Sequence, residues 1–186
     1  MNYTSNCCLD KAEIANFGEV TMAKSTLLTL GNFEDAYFED CLLLGIKSSD
    51  PITVFCVEAE RRLGIKFERK LSNDILVRYT DGFSSGLGIA GTLFEFLPQE
   101  QDVKFSFYQH KVPFSDLHIH LFDNHYQDYR LIPECKQYDF LILLHDPCYT
   151  LQQKPLQYWL PLLNSVACCQ EIAIESLGKS KENLII

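Results

Sequence analysis

The sequence predicts an α+β fold, a mostly antiparallel β-sheet with about two helices packed on one face. Three observations lead there. Only two stretches, around 50–64 and 155–166, carry apolar residues at helical spacing with turn or cap residues beside them. The other apolar residues fall mainly in runs of strand length, roughly four to eight residues. Those runs follow one another through short polar connections, without the strand–helix alternation that a parallel sheet needs. At 186 residues and 47% hydrophobic content the chain has the size and composition of one domain with its own core.

Residues 1–21 are polar and aperiodic and read as a loose N-terminal extension, with Met22 as the natural start and 22–186 as the domain. Asp40–Lys47, "DCLLLGIK", reads as a buried strand. Asp50, Pro51 and Gly64 supply an N-cap, a first helical residue and a C-cap around "ITVFCVEAERRL". Ile52, Phe55, Cys56, Ala59 and Leu63 then share one face at helical spacing. Strands are expected around Ile65–Arg69 and Ile75–Thr80. After a glycine-rich loop, "TLFEFL" and "DVKFSFYQH" read as a hairpin joined by "PQEQD". "DLHIHLF" and "HYQDYRLI" read as a second hairpin, turning at Asp123–His125. That register keeps Asp128 and Arg130 out of the core and sets them opposite His120 and His118. "DFLILL" is the most apolar strand. A helix with Leu156, Trp159, Leu160, Leu163 and Val166 inward follows, kinked or started at Pro161. "EIAIES" reads as a last strand, with helix continuation toward Gly178 as the alternative.

The formal net charge is −9, which repels phosphate backbones and anionic lipid heads. The richest basic stretch, "ERRLGIKFERK", interleaves Glu with Arg and Lys, so neither nucleic acid nor membrane is an expected partner. No apolar run approaches the ~20 residues of a membrane helix. The N-terminal segment lacks the basic and apolar regions of an export signal. The eight cysteines are therefore expected as reduced thiols of a cytoplasmic protein, and the absence of CxxC removes the common zinc and redox signatures.

Several motifs suggest chemistry. Gly82-Phe83-Ser84-Ser85-Gly86 fits the nucleophile elbow, and Gly86 to Gly91 fits the dinucleotide fingerprint. Both require a helix immediately afterwards, whereas a β-prone segment follows, so the loop reads as a surface loop. His118 and His120 share a strand face and are metal-ligand types, with Asp128 as a third donor. Arg130 beside them opposes a bound cation, so no metal and no cofactor is expected. Cys148 lies close to His145 and Asp146 just past a buried strand, the least unfavourable setting for a nucleophile.

"LIPECKQYDFLIL" resembles the signature of the IPExxxDY family, small cytosolic proteins of Bacteroidota. The match rests on Ile132, Pro133, Glu134, Asp139 and Phe140. Four residues separate Glu134 from Asp139, and Phe140 stands where the family's name has tyrosine. "MAKSTLLTLGNFEDAYFEDCLLLGIKSSDP" is similar to the family's opening. The resemblance implies a small cytosolic protein and carries no defined activity. Read from the residues, Glu134 and Asp139 flank a turn and are expected to accept backbone N–H bonds or pair with Lys136 or Arg130. The expected function is a non-catalytic protein acting through protein–protein contacts, with aromatic-rich strand edges able to pair with a partner. The alternative is a small-ligand or metal-dependent enzyme using the His118/His120 face or the His145/Cys148 strand end, with Ser84 as a further candidate.

Overall fold

The computed structural model describes residues 36–81, 99–146 and 148–186. The extension 1–21, the glycine loop with Ser84 and the segment "TLFEFL" lie outside them. Among the described residues, β1 (Leu42–Ser48), β2 (Glu68–Arg69), β5 (Phe107–Lys111), β6 (His118–Asp123), β9 (Phe140–Leu144) and β12 (Val166–Ile172) form one antiparallel sheet in the order β12-β1-β9-β6-β5-β2, while β10 (Thr150–Leu151) and β11 (Lys154–Pro155) pair with each other. Helix α1, Ile52–Leu63, lies between β1 and β2 in the chain. The architecture is α+β with an antiparallel sheet.

The sheet has two covered faces, and the side-chain period of two distributes each strand between them. Leu44 and Ile46 of β1, Ile119 and Leu121 of β6, and Phe140, Ile142 and Leu144 of β9 meet the helical layer. That layer is Ile52, Phe55 and Ala59 of α1 with Leu156, Leu160 and Leu163, and Cys56 and Leu63 pack at its margin. Leu43, Phe107, Phe122, Leu141 and Leu143 point the other way. They meet Val103 and Phe105 from a hairpin of β3 (Ile75–Asp81) and β4 (Gln99–Phe105), and Ile174, Leu177 and Leu184 from a 3-10 segment, Ile174–Leu184. Strand β9 is buried at all five residues, which is why its sequence is continuously apolar.

Gly64 closes α1 in the left-handed conformation (φ 71°), its N–H reaching the carbonyls of Ala59 and Glu60. The start of the helix differs from expectation. Pro51 is the N-cap and no side chain caps, because Asp50 is held in a turn with the Ser48 hydroxyl. Gln99–Asp102 of "PQEQD" make no turn; they run inside β4 along β3, where paired strands with an exposed side accept polar residues. The second helix is one α-turn, α2 (Leu156–Trp159), followed by a 3-10 turn, Leu160–Leu162. Pro161 has no N–H to bond backwards, so the helix stops and Val166 already begins β12. The last strand thus takes only Glu171 and Ile172 of "EIAIES", while Ile174–Ser176 belong to the 3-10 segment.

The second expected hairpin is also rearranged. Both edges of β6 are taken, by β5 and β9, so residues 125–130 cannot pair with it. They fold on themselves as β7 (His125–Tyr126) and β8 (Tyr129–Arg130) around Gln127–Asp128, with Gln127 at φ 53°. Asp128 is exposed in that turn, and Arg130 faces His125, not His118.

Candidate functional site

The strand registers gather the histidines that the sequence keeps apart. Ile119 pairs with Leu144, so the next step along each strand sets His118 beside His145. Leu42 pairs with Leu144, so Cys41 falls beside His145 on the other side. His120 lies opposite Gln109, and His118 opposite Lys111. By alternation, these groups share the face turned away from α1.

They form one hydrogen-bonded chain. The Gln109 amide nitrogen donates to His118 Nδ1 at 2.9 Å and to His120 Nε2 at 3.2 Å. His120 Nδ1 lies 3.4 Å from His145 Nε2, and the Tyr37 hydroxyl 3.3 Å from the same nitrogen. His145 Nδ1 lies 3.3 Å from Cys41 Sγ, and the Cys41 thiol donates to the Tyr37 carbonyl. His145 Nε2 carries one proton or one lone pair, so His120 and Tyr37 share it.

Electrostatics favour the neutral forms of His120 and His145. Burial and the neighbouring rings of His145 and His118 push His120 down to about 4. Burial also lowers His145. The Cys41 thiol is pushed up to about 11 by burial and by Asp40. A thiol held protonated is a poor nucleophile, and an imidazole near 4 is a poor proton carrier at neutral pH. Among the described residues, no three His, Cys, Asp or Glu side chains are arranged to hold a metal ion. His145 already spends both ring nitrogens on different neighbours, so it has no lone pair free for a cation.

Cys148 does not join this group. It is exposed, its backbone N–H is held by Asp146 Oδ1 at 2.8 Å, and the cysteine beside His145 is Cys41. The sequence reading missed Cys41, although it stands just before β1 as His145 stands just after β9. An open groove of about 410 Å³ takes in His118 with Lys66, Glu68, Lys70, Gln109, His110 and Lys111, but neither His145 nor Cys148.

The motif residues make a corner. Ile132 is buried, Pro133 opens a 3-10 turn (Pro133–Cys135), and Phe140 begins β9 in the core. Glu134 accepts a hydrogen bond from Ser180 at 2.6 Å and so ties down the 3-10 segment; Lys136 and Arg130 are not its partners. Asp139 Oδ2 accepts the Ser48 N–H at 2.9 Å, the backbone bond that the turn reading expected of this pair. The residue holding the corner is one the sequence reading left in a loop. Asn124 is fully buried; it donates to the carbonyls of Cys135 and Tyr138, each at 3.0 Å, and accepts the Ile132 N–H at 2.9 Å.

One backbone surface is left open. Ile46 turns its carbonyl toward Asp139 on the β9 side, and Ser49 turns its N–H toward Ser165. By alternation Gly45 and Lys47 bond to β12, so Gln170 and Cys168 point inward. Cys169 and Glu171 then present their N–H and C=O groups outward, and among the described residues β12 pairs with β1 alone. The strand runs seven residues without Lys, Arg or Pro; a β-bulge opposite Lys47 and Ser48 and the exposed Glu171 are the guards it does carry. No described helix is long and apolar enough to cross a membrane. Comparison with protein-family profiles, with curated proteins and with solved structures returns no match to this chain.

Proposed function

We propose that this chain is a non-catalytic cytoplasmic protein that acts through protein contacts, made by adding a strand at the outer edge of β12. The observation that carries the reading is the seven-residue edge without Lys, Arg or Pro, whose outward N–H and C=O groups at Cys169 and Glu171 match an extended backbone. The lowered pKa values of His120 and His145 and the raised Cys41 pKa support the non-catalytic half, because they supply no activated thiolate and no base poised near neutral pH. The Ile132–Phe140 corner fits a structural role, and its likeness to the IPExxxDY signature agrees with a small cytoplasmic protein.

The test is a photo-crosslinking amino acid at Ala167, an exposed position of β12, in cells making the full chain. A discrete adduct is expected from Ala167 and not from Leu71, which is exposed on a 3-10 turn elsewhere. Adducts absent from Ala167, or equal at both positions, would sink the reading.

A further inference from the structure

Resting on that reading, we propose that the strand added at β12 is β12 of a second copy, giving a two-fold dimer with one continuous antiparallel sheet. The edge is complementary to itself. A two-fold axis perpendicular to the sheet pairs residues of equal parity, so that like faces stay together. With the axis at Cys169, Val166 faces Ile172, Ala167 faces Glu171 and Cys168 faces Gln170, and no like charges stand opposite each other. The outward groups of Cys169 meet their own counterparts, and those of Glu171 reach the Ala167 end of the second copy.

The surface beside the edge fits the same partner. Asn164 and Ser165, which lead into β12, are bound by Glu58 of α1 through contacts of 2.7 and 2.9 Å. Next to them an open groove of about 460 Å³ carries Val54, Val57, Arg61 and Arg62 together with Asp50 and Glu58, and Glu58 already pairs with Arg62 at 3.3 Å. Val54 is 46% exposed and Val57 48%, and Leu162, on the segment packed against β12, is 54% exposed. Glu171 lies on the helical face of β12, opposite Leu44. The antiparallel arrangement brings it to the end of the second copy's strand where Arg61 lines the groove. Backbone hydrogen bonds, the apolar rim and a Glu171–Arg61 contact therefore find their complement in another copy of this chain.

Sedimentation of the full chain at tens of micromolar tests this. The expected mass is twice 21.4 kDa. Glu171→Pro removes an outward N–H at an edge position that tolerates proline, and should weaken dimerisation at least tenfold. Glu171→Gln keeps the N–H and should weaken it less. Should Glu171→Pro not fold, amide exchange on the unmodified chain decides: Cys169 and Glu171 must lose protection on dilution while Gln170 keeps it. A monomeric full chain, or protection independent of concentration, overturns the second copy as occupant. If that monomer still crosslinks from Ala167 to a different protein, only the identity of the partner falls. If it crosslinks to nothing, the strand-addition reading falls with it.

Discussion

Replacing Asn124 by alanine should destabilise the fold by about 3 kcal/mol, because two buried backbone groups lose their partner at once and a third loses one of its two. The Ile132 N–H and the carbonyls of Cys135 and Tyr138 are each bonded to this one side chain, and all four residues are buried; the Cys135 carbonyl also accepts the Tyr138 N–H and keeps that bond. Each unsatisfied group costs roughly 1–3 kcal/mol. Taking about 1.5 for each of the Ile132 N–H and the Tyr138 carbonyl gives the figure above, a fifth or more of the stability of an ordinary domain. In urea, with a slope of about 2 kcal/mol per molar for a chain of this size, the midpoint should fall by about 1.5 M. Trp159 fluorescence and far-UV circular dichroism should report the same shift. Asn124→Asp should be no milder: the carboxylate still accepts from Ile132 but meets two carbonyl oxygens with nothing to donate. A midpoint change under about 0.5 M for Asn124→Ala would refute the claim that this side chain holds the corner together.

The fold should lose about 3 kcal/mol as the pH drops from about 6.5 to about 4 on account of His120. Its folded pKa lies below its unfolded one, so the stabilisation is full above the unfolded value and disappears as pH falls through the folded value. Urea midpoints against pH should show that slope, and His120→Phe, placed among Phe107 and Phe122, should flatten it. Gly45→Ala should cost about 2 kcal/mol or more, since its Cβ would stand 2.5 Å from the Tyr138 ring. A double-mutant cycle with Tyr138→Ala should show strong coupling between the two positions. Alkylation at neutral pH, followed by mass spectrometry, should label exposed Cys148 well before Cys56, whose thiol burial pushes to about 12. Equal labelling would contradict the described burial.

The parts that were legible are those whose local pattern and tertiary setting agree. The apolar runs of β1 and β9, and the face of α1 with Gly64 behind it, carry their periodicity openly. The errors have particular causes. Gln99–Asp102 look like a turn because a half-exposed hairpin strand needs no apolar face. Pro161 splits a helical pattern whose apolar spacing alone continues to Val166. Residues 125–130 were given to β6 because local alternation does not show that β6 has neighbours from distant parts of the chain on both sides. The histidine chain shares that limit. His118, His120 and His145 could be picked out by type and position, but Cys41, Gln109 and Tyr37 join them only through the register of four strands. The Ile132–Phe140 corner was legible as a turn, yet its holder, Asn124, carries no local sign of being buried.

The sheet order also sets a timetable. Strand β1 is bonded on one side to β9 and on the other to β12, each roughly a hundred residues further along the chain. While a ribosome is still making the middle of the protein, β1 and the inner face of α1 have no sheet to join. Their apolar residues must wait as a sticky intermediate for partners not yet synthesised. Folding should therefore be slow for a domain of this length, and rescue of soluble yield by slower synthesis or by a holding chaperone would be its cellular signature.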